Sequence, residues 1–141
     1  MKECPFCQMI KNDRLDNLIL ENEYALVTAG DYFREGQCTV IMKDHIVSVS
    51  QMNKEQYIAA FDLVTKISKA LEKKYNCEGT YLLSIGDQVR HLHFHLIPKH
   101  KDKCSMGIYC FGSLFKEEGE RKPTQEEQNS LAYDIKELLL K

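Results

Sequence analysis

Residues 91–98 read His-Leu-His-Phe-His-Leu-Ile-Pro, three histidines in strict alternation with apolar residues. A period of two is the signature of a β-strand, which turns His91, His93 and His95 to one face and Leu92, Phe94 and Leu96 to the other. Successive imidazoles on such a face start roughly 7 Å apart. The apolar face can enter a core while the imidazole face lines a cleft. A neutral imidazole can attack phosphorus through an unprotonated nitrogen and form a covalent intermediate that water later cleaves. Its other nitrogen is best fixed by donating to a backbone carbonyl. A neighbouring histidine can bind the phosphoryl oxygens or the leaving group. Backbone N–H groups around Gly86, with Ser84 and Gln88, could hold the developing charge. The same three imidazoles could instead bind a single metal as a hydrolytic, Lewis-acid site. Spacing leaves both chemistries open.

A second reactive group opens the chain. Cys4-Pro5-Phe6-Cys7 is a Cys-x-x-Cys pair, which suits two thiolate ligands on one zinc and also occurs at thiol redox sites. The redox motif follows a strand, and only three residues precede Cys4, so zinc is the favoured reading. Two cysteines leave a tetrahedral site two ligands short.

The surrounding pattern must position these groups. Residues 8–16 are polar and suit a short helical turn. Strands are expected at residues 18–20 and 24–28, around a turn at Glu21-Asn22-Glu23, and again at residues 37–42. His45 follows the third strand, where a ligand or catalytic group could be held firmly. Asn53 and Gln56 form a capping box for a long helix to about Lys74, with Tyr57, Ala60, Phe61, Val64, Ile67 and Leu71 on its core stripe. Asn76 and Gly79 end it. Residues 80–85 form a fourth strand, which Gly86-Asp87 turns back onto the histidine strand as an antiparallel hairpin. Lys99, His100, Lys101 and Lys103 read as a solvated charged run that could also gather anions. Residues 106–111 suit a short extra strand, and Cys104 and Cys110 read as packing residues. Thr124 and Glu127 make a second capping box, and Leu131, Ile135, Leu138 and Leu139 stripe the final helix.

At 141 residues the chain suits one domain with a sizeable core. A formal net charge of −2 argues against a general nucleic-acid partner. No apolar run approaches membrane-spanning length, and the N-terminus lacks a signal-peptide core. A cytoplasmic location is expected, where six cysteines are reduced or metal-bound rather than disulfide-paired.

The chain resembles the histidine triad family. The segment from His91 to Pro98 fits that family's run of three histidines separated by apolar residues. Cys4-Pro5-Phe6-Cys7 resembles the N-terminus of its zinc-containing, Hint-like branch. Residues 36–45 resemble the segment that usually reads Gly-His-x-Leu-Val-Ile-Pro-Lys-x-His, with Gln37 and Met42 as departures. Residues 84–89 resemble the turn before the triad, with Ser84 and Asp87 departing from the usual asparagine and glutamine. The resemblance implies an α+β fold: an antiparallel sheet of about five strands, one long helix and a C-terminal helix. It also implies a single HIT domain over residues 1–141, with its core at 4–100 and a C-terminal extension. The implied activity is a nucleoside phosphate hydrolase or transferase, of the phosphoramidase or dinucleoside polyphosphate hydrolase type. Such proteins act at the α-phosphorus through a nucleotidyl-histidine at His93. His95 would contact the α-phosphate or leaving group. By similarity to zinc-bearing members, His45 and His91 would join Cys4 and Cys7 on one structural zinc. More weakly carried over are Phe6 and Met9 against the base and Asp31 on the ribose hydroxyls. The implied partner is a small nucleotide substrate, and relatives are often two-fold homodimers. The alternatives are a non-enzymatic nucleotide-binding module and the single-metal hydrolase.

Overall fold

The computed structural model describes residues 4–13, 15, 17–30, 35–101 and 123–141. Asp31, Lys103, Cys104, Cys110 and the strand expected at 106–111 lie outside the described residues. The elements are helix α1 (Pro5–Lys11), strands β1 (Leu18–Glu21), β2 (Ala25–Ala29) and β3 (Cys38–Met42), a 3-10 turn (Val49–Gln51), helix α2 (Lys54–Tyr75), strands β4 (Thr80–Leu83) and β5 (His93–Pro98), and helix α3 (Gln125–Leu139). The strands form one antiparallel sheet in the order β1-β2-β3-β5-β4. The histidine strand therefore has a paired neighbour on each side and is held in register by both.

Burial divides the sheet into two faces. Ala25, Val27, Ala29, Cys38, Val40, Met42, Phe94 and Leu96 share one core with Ala60, Leu63, Val64, Ile67 and Leu71 of α2 and with Leu131 and Ile135 of α3. The alternate residues Thr28, Thr39, Ile41, His93, His95 and Ile97 therefore occupy the other face. Thr39 lies directly opposite His95 and Ile41 opposite His93.

Local chemistry sets the element ends. Asn22 Oδ1 accepts from the backbone N–H groups of Tyr24 and Ala25, which closes the β1–β2 turn and delays β2 to Ala25. The capping box at α2 is present in both halves: Asn53 Oδ1 accepts from Gln56 N at 2.8 Å and Gln56 Oε1 from Asn53 N at 2.9 Å. Asn76 ends α2 in the left-handed conformation, φ +49°. At α3 the Thr124 hydroxyl accepts from Glu127 N and donates to the Glu127 carboxylate.

Three expectations are corrected. The first helix spans Pro5–Lys11 rather than residues 8–16, because Pro5 is pre-set for a first helical position and the chain turns out at Asn12 and Asp13. The core stripe of α2 is rotated. Leu63 and Ala70 are buried, whereas Tyr57 is 46% exposed and Phe61 43%, at the edge of the apolar arc. Phe61 still meets Phe94 edge-on, with ring centroids 5.8 Å apart. β4 stops at Leu83 instead of Ile85. In the charged run Lys99 and Lys101 are exposed, as expected; Lys99 Nζ also stands 4.8 Å over the Tyr81 ring, and His100 Nε2 donates to the Glu35 carbonyl at 2.7 Å.

Candidate active site and metal centre

Regular β5 begins at His93, and His91 and Leu92 approach it along a different set of bonds. His91 N donates to the Val89 carbonyl at 2.9 Å, Leu92 N to Ile46 O at 2.7 Å, and Met42 N to Leu92 O at 3.2 Å. These bonds tie the start of the histidine run to the chain leaving β3. The carbonyl of His91 is left facing the next imidazole, and His93 Nδ1 lies 2.5 Å from it. A carbonyl only accepts, so His93 carries its proton on Nδ1, and Nε2 holds the free electron pair. This is the tautomer a nitrogen nucleophile needs.

His95 follows on the same face, its ring centroid 4.9 Å from that of His93 and nearly perpendicular. Burial, with the neighbouring His93 adding to it, pulls its pKa down from 6.5 to about 4, so the ring is neutral near neutral pH. Gln37, 1% exposed, reaches it with Nε2 2.9 Å from His95 Nδ1. In the sequence Gln37 stands out only as a departure from the usual histidine. The available signal was a polar residue two positions before Thr39 on the imidazole face, next to an otherwise apolar strand.

His91 belongs to a different group. Its Nε2 donates to the Met42 carbonyl at 2.6 Å, which leaves Nδ1 unprotonated. Burial lowers its pKa; the Met42 carbonyl acts in the opposite sense, and His45 and His93 add to the lowering. Nδ1 lies 3.3 Å from Cys4 Sγ and 3.5 Å from Cys7 Sγ, while His45 Nδ1 lies 3.3 Å from Cys7 Sγ. The four donor atoms all fall within 4.8 Å of one another. A tetrahedral zinc with ordinary bond lengths spaces its sulfur and nitrogen ligands about 3.6 Å apart. The cluster fits that geometry, and the His91 tautomer is the one a metal ligand requires. Burial raises the Cys7 thiol pKa and Cys4 raises it further, the pressure that a bound cation would reverse.

Separate elements bring these donors together. Cys4 caps α1 and Cys7 lies within it. His45 is placed by its neighbour, since Gln56 Nε2 of α2 donates to Asp44 Oδ2 at 3.0 Å. Phe6, between the two cysteines, stands edge-on to both His91 and His93, at centroid distances of 5.6 and 4.9 Å. Met9 is half-buried in α1. Ser84 and Gln88 are exposed in the β4–β5 connection, and Gly86 adopts φ +71°, a conformation that favours glycine.

The HIT domain family model matches residues 12–102. The chain belongs to the HIT domain family. Among curated HIT-related proteins, it is 29% identical over 105 residues to Protein hit of Bacillus subtilis, covering 70% of this chain and 72% of that one. It is 26% identical over 110 residues to the adenosine 5'-monophosphoramidase hnt1 of Schizosaccharomyces pombe, covering 74% and 80%. In fold it is similar to a Zn-bound histidine triad family protein from Mycobacterium smegmatis, at TM-score 0.72 and 17% identity over 98% of this chain and 94% of that one. A Hit-like protein from Bartonella henselae gives TM-score 0.74 at 20% identity, covering 97% and 96%. These neighbours share the α+β fold expected from sequence. Among the described residues no helix of this HIT domain protein is long and apolar enough to cross a membrane.

Proposed function

We propose that this HIT domain protein is a nucleoside phosphate hydrolase or transferase that works through a covalent nucleotidyl-histidine at His93. One observation carries the reading: the His91 carbonyl holds the proton of His93 on Nδ1, so Nε2 has a free pair for phosphorus. Attack forms the N–P bond and breaks the bond from phosphorus to the leaving group. Water then cleaves the N–P bond and releases the nucleoside monophosphate, or another acceptor takes up the nucleotidyl group, and either way His93 returns to its starting tautomer. His95 donates a hydrogen bond to the α-phosphate or the leaving group. Backbone N–H groups near Gly86, with Ser84 and Gln88, hold the phosphoryl oxygens. The candidate substrates are nucleoside phosphoramidates and dinucleoside polyphosphates. The relative named as an adenosine 5'-monophosphoramidase supports that range.

Cys4, Cys7, His45 and His91 would hold zinc, with four protein ligands and so a structural role. The ion would pin α1 and the chain after β3 to the residue whose carbonyl orients His93. The donor set separates His91 from His93 and His95, which favours this arrangement over one metal on all three histidines.

Incubation with adenosine 5'-phosphoramidate and with diadenosine tetraphosphate tests the reading. The parent protein releases adenosine monophosphate from at least one, and His93→Ala from neither. Equal release by both proteins removes His93 from the mechanism. Tight binding of adenosine monophosphate without turnover of either compound identifies a binding module instead.

A further inference from the structure

The pairing of Gln37 with His95 bears on what can leave from phosphorus. Gln37 is buried just ahead of β3, and its backbone carbonyl accepts from Gly30 N at 3.2 Å, so its side chain departs from a fixed point. Its amide nitrogen lies 2.9 Å from His95 Nδ1. An amide N–H only donates, so Nδ1 accepts and the single proton of neutral His95 sits on Nε2. The reversed amide would leave a bare Nε2 pair to face phosphate oxygens, which is repulsive for an anionic substrate. Burial keeps the ring neutral, so there is no second proton in reserve.

We propose that Gln37 makes His95 a hydrogen-bond donor that cannot surrender its proton, and so directs this protein to nucleoside phosphates whose leaving group departs as a stable anion. Phosphates, polyphosphates, carboxylates and acidic phenols qualify; amines do not. The inference rests on the reading of His93 as nucleophile and narrows it. When His93 Nε2 bonds to phosphorus, the pair of the breaking bond goes with the leaving group. A polyphosphate or carboxylate accepts that pair as an anion, and the His95 N–H needs only to stabilise it. An amine nitrogen cannot leave as an amide anion and must take a proton as its bond breaks. If His95 Nε2 gave that proton, its ring would become imidazolate, because the Gln37 amide has none to pass to Nδ1. A histidine in place of Gln37 could supply one proton to Nδ1 as Nε2 releases another, keeping His95 neutral.

The test compares three adenosine 5'-phosphoryl compounds, with 4-nitrophenol, adenosine triphosphate (as diadenosine tetraphosphate) and ammonia (as the phosphoramidate) as leaving groups. For the parent, kcat/KM for the two anionic leaving groups exceeds that for the amine by about 100-fold or more, the lower end of a general-acid contribution. Gln37→His raises the amine substrate by about 10-fold or more and moves the 4-nitrophenyl substrate by less than about 3-fold, since only one needs the proton. Nitrogen-15 NMR of the parent shows His95 with a bare Nδ1 and a protonated Nε2. A parent that treats all three leaving groups alike, a Gln37→His variant with an unchanged ratio, or an Nδ1-protonated His95 overturns the proposal. In each of those outcomes His93→Ala remains inactive. A fully active His93→Ala variant instead overturns the nucleophile reading on which the proposal stands.

Discussion

Acid should weaken this fold through His95 in a measurable amount. Folding lowers the His95 pKa from 6.5 to about 4, chiefly by burial. The unfolded chain then binds more protons than the native one between those two values. The sign follows: stability is whole above pH 6.5, falls as the pH drops toward 4, and loses nothing further from this group below that. The full difference corresponds to about 3 kcal/mol, taken as an upper bound for a half-buried ring. From about pH 7 to about pH 5 the loss is about 2 kcal/mol, or about 6 °C in melting temperature for a domain of this length. The assay is thermal unfolding by circular dichroism at both pH values, for the parent and for His95→Gln. The variant keeps a side chain able to meet the Gln37 amide but has nothing to titrate. His91 and the Cys4, Cys7 and His45 group are common to both proteins and cancel in the comparison. The parent should lose about 2 kcal/mol more than the variant. Parallel pH dependences would refute the burial argument and, with it, the neutral His95.

Three further perturbations address the frame. Cys4→Ser should drop bound zinc well below one ion per chain, measured by metal analysis, and lower the melting temperature, because α1 loses its tie to His91; full zinc occupancy in the variant would show that Cys4 is not a ligand. Ile67→Ala removes a fully buried side chain at the α2–sheet contact and should cost about 2–5 kcal/mol in denaturant unfolding. Gly36→Ala should cost more than about 1 kcal/mol, because Gly36 has φ +87° and a Cβ there would stand 2.5 Å from the Tyr75 ring; a neutral substitution would contradict the packing of that turn.

Much of this site was legible from residue types, because few patterns can place so many imidazoles together. The alternation at 91–98 required the central pair of His93 and His95 on one face and the burial of Phe94 and Leu96 beneath them. The Cys-x-x-Cys motif pointed to two candidate metal ligands and a resemblance to two more, and the structure groups all four. Three features depended on tertiary contacts that no local period encodes. The tautomer of His93 rests on the His91 carbonyl, two residues before it, in a stretch ahead of regular β5 where Leu92 N bonds Ile46 O. The burial of Leu63 and Ala70 in place of Tyr57 and Phe61 follows from the sheet and α3 side chains that share their core. The contact of Gln37 with His95 required knowing that Gln37 leads into a strand beside the strand that carries His95. Helix caps fared better, since Asn53, Gln56 and Thr124 act through neighbours within the same turn.

The central claim concerns one nitrogen. The most direct measurement is rapid acid-free quenching of the protein with a nucleoside phosphate substrate, followed by proteolysis and mass spectrometry of the peptide spanning residues 91–98. The account predicts a single nucleoside monophosphate adduct on His93, abolished in His93→Ala and discharged by water at the rate of product release. An adduct on a different residue, or steady turnover with no adduct at any time, would contradict it.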